Sequence, residues 1–181
     1  MRKLSGPARP EFKELKFAGG IAATVLLRLL QLVPNVEPVM ALTTPYAKAY
    51  GALAGFAFAA VTVASYDFVS GRVGAWTLYT AAAYGLVGLF AASFLRKRSG
   101  RVHYAAYALV ATVAYDAVTA FLFGLQFGQP LWMTFLGQIP FTINHVVGNV
   151  VLTAVFSPLI YAHVLAGPEP GVNLHADKVV H

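Results

Sequence analysis

The chain has 181 residues, 58% of them hydrophobic and 11% charged, with a mean hydropathy of +0.65, whereas soluble domains carry about 25% charge, so a water-soluble globular protein is excluded. The absence of cysteine excludes disulfides, thiolate metal sites and a cysteine nucleophile. The formal charge of +6 sits at the ends of apolar runs, which membrane orientation explains better than nucleic acid does.

Residues 1–16 hold Arg2, Lys3, Arg9, Lys13 and Lys16 against Glu11 and Glu14, with Pro7 and Pro10. They read as a basic, partly disordered cytoplasmic arm with a short amphipathic approach to the bilayer. The apolar run that follows is too long for a signal-peptide core and lacks a small-residue cleavage site, so it is expected to be a retained first span over 17–33. Small residues four apart, Ala18 with Ala22 and Gly19 with Ala23, make a face on which a helix of this fold or of a second protein can lie close. Arg28, deep in this span, either snorkels to the outer interface or pairs with a buried carboxylate or a ligand anion. The stretch Val33-Pro-Asn-Val-Glu-Pro38 breaks the helix and leaves Asn35 and Glu37 at the membrane surface.

From 39 to 69 one helix could start at Pro45, or two could meet near Lys48 and Gly51. The distribution of positive charge arbitrates. Six spans put the arm, Lys48, Arg96, Lys97, Arg98, Arg101 and Lys178 on one side, eleven basic residues against Arg72 alone, while five spans split them six to five. Six spans with both termini cytoplasmic and an unusually short second helix are therefore expected. The third span, 51–69, opens on the spacing Gly51 with Gly55 and ends at Ser65-Tyr-Asp67. The fourth, 75–95, brings Trp76, Thr80 and Tyr84 onto one face, and the fifth, 103–125, does the same for Thr112, Tyr115, Asp116 and Thr119. Aromatics near a span end also serve as interface anchors, the alternative for Trp76.

After a loop over 126–132, the sixth span, 137–165, carries Gln138, Thr142, His145, Asn149 and Thr153 within about 80° of one another. Such a stripe in hydrocarbon is interhelical glue or a binding surface. At about 1.5 Å per residue His145 lies about 10 Å below the outer end of its span and Asp116 about 20 Å from the inner end of its own. Polar residues thus gather in the outer half, and the inner segments 86–95 and 155–165 are nearly devoid of them. A channel needs wettable lining throughout; this pattern describes a cup, open outward and closed below. Aromatic, amide, hydroxyl, imidazole and carboxylate groups in that cup suit a small, partly flat, polar organic ligand. His145 has no second metal ligand at i+3 or i+4 on its own helix, so no metal or other cofactor is expected. For an enzyme, Ser65 with His145, or His145 with Asp116 as acid and base, stays open, although no nucleophile motif surrounds that serine. No phosphate-binding Gly-rich loop occurs, so the chain is not expected to hydrolyse a nucleotide itself.

Six spans in about this length, the Ala18/Ala22 spacing, the Pro-Asn-x-x-Pro break, the short helix ending at Tyr50-Gly51, Trp76 with Tyr84-Gly-Leu-Val-Gly88, and Pro140-Phe-x-x-x-His145-x-x-Gly-Asn149 together resemble the substrate-binding S components of energy-coupling-factor vitamin transporters. The resemblance spans about residues 15–165. It implies an all-α six-helix membrane bundle over 17–166; the polar, Gly/Pro-containing stretch 167–181 reads as a flexible cytoplasmic tail. It further implies a non-enzymatic capture subunit in the plasma membrane of a prokaryote, binding a vitamin-like micronutrient and joining a transmembrane coupling protein and two ATPases. Carried onto this chain, the ligand would meet Asn35, Glu37, Trp76, Thr80, Tyr84, Tyr115, Asp116, His145 and Asn149, and the coupling protein would meet Ala18 and Ala22.

Overall fold

A computed structural model of the chain describes residues 10–30 and 36–166. Most of the arm and the whole tail lie outside the described residues, as does Asn35. Six α-helices run up and down: α1 Pro10–Leu29, α2 Val39–Tyr50, α3 Ala52–Val69, α4 Ala75–Leu95, α5 Arg101–Gln126 and α6 Leu131–Ile160, the last continued by a π-helical turn, Tyr161–Leu165. Within the described residues there is no strand. Among the described residues four stretches are long and apolar enough to cross a membrane: α3, α4, α5, and α6 with its π-helical turn. Their outward faces carry Leu53, Phe68, Leu78, Val110 and Phe90, all more than half exposed, a surface suited to hydrocarbon rather than water.

The expected break after α2 is present. Gly51 takes φ 96°, a backbone state in which a Cβ is strained, and α3 restarts immediately after it. At 12 residues, α2 is about 18 Å long, well short of a hydrocarbon core of about 30 Å. Two boundaries differ from expectation. Helix α1 starts at Pro10 and takes in residues 10–16 of the expected arm, proline being well tolerated in a first helical turn because its missing N–H has no partner there anyway. Helix α6 starts at Leu131 rather than near 137, directly after Pro130, so the apolar run Leu131-Trp-Met133 is helical and the loop shrinks to 127–130.

One end of the bundle carries residues 36–38, the turn 70–74 and the loop 127–130; the other carries the loop 96–100. We refer to them as the Glu37 end and the Arg98 end. At the Arg98 end Lys48 donates to the carbonyl of Arg98 at 2.7 Å and to Ser99 Oγ at 2.7 Å, so the short α2 ties down the loop 96–100 that joins α4 to α5. Lys16 likewise donates to the carbonyl of Val164 at 2.6 Å, joining α1 to the end of the chain's last helical segment.

Helices α3 and α4 cross on glycine. A Cβ built on Gly88 would run into the backbone of Gly55, and one on Gly55 into the backbone of Gly88 and the side chain of Ala47. The backbones therefore touch directly, as small residues permit in membranes, where helices associate by close packing. Proline sets a second contact. Pro45 lies inside α2 and has no N–H, which leaves the carbonyl four residues earlier, that of Ala41, without its helical donor. Ser157 Oγ donates to that carbonyl at 2.7 Å and accepts from Thr44 Oγ1 at 2.9 Å, fully buried between α2 and α6. Polar residues thus occur well toward the Arg98 end, contrary to the expectation that the segment 155–165 is nearly devoid of them. Ser157 continues the α6 stripe one turn past Thr153.

Candidate functional site

The stripe on α6 faces α5. Exposure falls along it: Gln138 and Thr142 are half-buried, while His145, Asn149, Thr153 and Ser157 are buried. On α5, Thr112, Tyr115, Asp116 and Thr119 are buried on the matching face. Two cross-links join the faces. His145 Nδ1 lies 2.8 Å from Asp116 Oδ1, and Asn149 Nδ2 donates to Thr112 Oγ1 at 3.0 Å. Since His145 and Asn149 are four apart on one helix, and Thr112 and Asp116 four apart on the other, the two links form successive rungs about one helical turn apart.

Helix α4 extends the upper rung. Tyr84 Oη lies 3.2 Å from His145 Nε2 and 3.3 Å from Glu37 Oε2, and Glu37 Oε1 pairs with Arg28 Nη2 at 3.0 Å. Arg28, Glu37, Tyr84, His145 and Asp116 therefore form one connected polar chain across α1, the segment 36–38, α4, α6 and α5. The Arg28 guanidinium also stacks over the Tyr66 ring at 4.1 Å. Of the two roles open for Arg28, the structure shows pairing with a carboxylate.

The proton inventory of this chain has more than one solution. Tyr84 has a single hydroxyl proton and two acceptors within reach. A neutral His145 with its proton on Nδ1 donates to Asp116 and receives the Tyr84 proton at Nε2. A doubly protonated ring donates from both nitrogens and leaves Tyr84 to donate to Glu37. Protons can shift along the chain with the heavy atoms in place.

Aromatic rings wall the site. Tyr115 packs on Tyr84 with centroids 4.2 Å apart and stands edge-on to His145 at 5.7 Å, while Phe141 lies 5.3 Å from His145. Counted along the helices, Tyr84 is about 14 Å from the start of α4 and Asp116 about 15 Å from the end of α5. His145 is about 21 Å from the start of α6 rather than 10 Å, because that helix begins earlier.

Where an outward-open cup was expected, the side chains are covered. Tyr84, Asp116, His145 and Asn149 are each 2% exposed or less. The segment 36–38 closes over them, drawn in by the bonds of Glu37 and by Val36, whose side chain sits against Gly148 on α6. Covering is incomplete in one chemical sense. Asp116 Oδ2 and Asn149 Oδ1 are buried with no hydrogen-bond partner, and so is Arg28 Nη1.

Of the other residues expected at the site, Trp76 stands apart. It is 37% exposed, and its indole N–H donates to the carbonyl of Arg72 at 2.8 Å, folding the ring back over Gly74 in its own turn. Thr80 is half-buried and spends its hydroxyl on the carbonyl of Trp76, 2.8 Å away. Asp67 is buried at the end of α3, where it accepts from Thr77 Oγ1 at 2.6 Å while Thr77 accepts from the Gly74 N–H, bracing the start of α4. Ala18 and Ala22 are exposed on α1. No hydrogen bond joins Ser65 to His145, whose two ring nitrogens face Tyr84 and Asp116. Among the described residues no three His, Asp or Glu side chains are grouped to hold a metal ion.

The sequence reading had Thr112 on the right face of α5 but not as the partner of Asn149. It missed Glu37 as the specific partner of Arg28. No family model, no curated protein and no solved structure matches the chain.

Proposed function

We propose that the protein is a membrane-embedded capture subunit of an ATP-driven importer, holding a vitamin-like micronutrient in the outer half of the bilayer. The observation that carries this reading is the pair of unpartnered acceptors, Asp116 Oδ2 and Asn149 Oδ1, buried on successive rungs between α5 and α6. Leaving a buried polar atom unpaired costs about 1 to 3 kcal/mol each, and in hydrocarbon such groups mark ligand sites. The resemblance to energy-coupling-factor S components supplies the importer context, with a coupling protein and two ATPases as partners. In this reading the segment 36–38 is the cover that opens for the ligand.

The same reading takes six spans with both termini cytoplasmic, so the Glu37 end faces outward. Arg72→Cys and Arg98→Cys should then react with a membrane-impermeant thiol reagent from opposite sides of intact cells. Labelling of both from one side overturns the topology.

Capture is tested by mass spectrometry of small molecules released from the detergent-purified protein, an unmodified compound in stoichiometric amount being the expected result. The importer role is tested on α1. Its exposed Ala18 and Ala22 offer a flat strip to a coupling protein, so Ala18→Trp with Ala22→Trp is expected to leave thermal stability and ligand content unchanged while abolishing co-purification with the partner subunits. Loss of stability together with assembly would return that face to internal packing.

One observation favours a second reading. Tyr84, His145 and Asp116 are arranged in sequence as hydroxyl, imidazole and carboxylate, the order in which a nucleophile, its base and an orienting acid are placed in covalent catalysis. Release of a compound converted over time by the purified protein favours an enzyme over a capture subunit.

A further inference from the structure

We infer that the ligand of this site is an organic cation carrying at least two N–H donors, gripped by Asp116 and Asn149 on successive rungs of the α5–α6 ladder. The inference rests on the capture reading above and adds the chemical class of the ligand.

Three observations lead to it. The first is the polarity of what is left unsatisfied. Asp116 presents one oxygen to His145 and keeps Oδ2 free; Asn149 gives its N–H to Thr112 and keeps Oδ1 free. Both residues are 1% exposed, and both free atoms are acceptors, so a partner for this pair brings donors; the free donor in the same chain, Arg28 Nη1, belongs to a guanidinium already paired with Glu37. They lie on successive rungs of the ladder, one helical turn apart along the bundle.

The second observation is charge. Toward the Glu37 end the buried or half-buried ionisable groups are Arg28, Glu37, Asp67, Asp116 and His145. Three carboxylates stand against one arginine, and a doubly protonated His145 would still leave an excess of one negative charge. Uncompensated charge inside a low-dielectric bundle is strongly unfavourable. A cationic ligand removes the excess. An anionic one would add to it, because Arg28, the one permanent cation there, already pairs with Glu37.

The third observation is the wall. Tyr84, Tyr115 and Phe141 surround His145, and aromatic faces attract cations, more so when desolvated. A metal cation is disfavoured by the ligand set, since no trio of His, Asp or Glu is assembled among the described residues.

The test uses three flat probes of nearly the same shape: benzamidinium, benzamide and benzoate. Each is titrated by calorimetry and by thermal stabilisation into the wild-type protein in detergent, alongside a deproteinised host-cell extract split by ion exchange into cationic, neutral and anionic fractions. Benzamidinium is expected to bind at least tenfold more tightly than benzamide, with benzoate inert, and the stabilising activity of the extract should reside in the cationic fraction. In Asp116→Asn the free acceptor becomes a donor, so the preference for benzamidinium over benzamide should fall at least tenfold. Benzamide or benzoate binding as tightly as benzamidinium, or stabilisation confined to the neutral or anionic fraction, overturns the cation assignment and leaves capture standing. If no probe and no fraction stabilises the wild-type protein, capture falls and the cation assignment falls with it. The probe series on wild type decides the matter even where Asp116→Asn does not fold.

Discussion

Gly88→Leu is expected to leave almost no monodisperse protein after detergent extraction. At this position the first atom of any side chain lands on the Gly55 backbone. Overpacking usually costs about 1 to 3 kcal/mol because neighbouring side chains shift. Here the obstacle is a helix backbone, so α3 and α4 must separate, and the contact is the widest in the bundle. We expect a loss of about 3 kcal/mol or more, read as loss of the folded peak in size-exclusion chromatography and a collapse of the thermal transition. Gly19→Leu is the matched control. A Cβ there meets nothing within 4 Å and its neighbours Ala18, Ala22 and Ala23 are exposed, so its transition should stay close to wild type. A folded, wild-type-like Gly88→Leu protein would mean that the α3–α4 crossing is not glycine-limited.

The second large effect belongs to the buried pair at the heart of the site. His145→Ala removes the only partner of the Asp116 carboxylate among the described residues and leaves it 1% exposed. Leaving a buried carboxylate without its hydrogen-bond partner costs about 3 kcal/mol or more. Replacing both members with apolar residues of similar volume is often neutral. The double variant His145→Leu with Asp116→Leu should therefore be more stable than His145→Ala, recovering most of the loss, while Tyr84 keeps Glu37 as its acceptor. Denaturant unfolding in mixed micelles reads both. Costs that simply add in the double variant would show that the two side chains do not depend on each other.

How much of this was legible in the sequence depends on how local the cause is. Helix α4 runs over Ala75–Leu95, as its turn residues and apolar length predict. The break at Gly51 follows from local backbone chemistry and from the position of Lys48. The polar stripe of α6 follows from periodicity alone, and its members His145 and Asn149 do meet α5. What periodicity cannot supply is the identity of the partner across a helix gap. Arg28 and Glu37 are nine residues apart, yet their meeting depends on how the intervening chain folds back, and the spacing is compatible with snorkelling too. Trp76 shows the opposite failure. Its place on the face shared by Tyr84 is correct, but a hydrogen bond to the carbonyl four residues earlier holds the ring in its own turn; the small Gly74 beside it, which leaves the ring room, was the available signal. Ser157 was equally available, since it extends the stripe by the same step of four, and Pro45 announces an unpaired carbonyl wherever it stands in a helix.

That carbonyl has a consequence for how the protein is made. Ser157, which completes the hydrogen bonding of Ala41, follows it by 116 residues. At about 5 to 20 residues per second, a ribosome needs roughly 6 to 23 seconds to cover that distance. During this time α2 is too short to cross the bilayer by itself and holds a peptide oxygen with nothing in lipid to bond it. The second helix to be synthesised is thus among the last to settle. A chain arrested before Ser157 is therefore expected to be degraded faster than the full chain, which pulse-chase labelling reads.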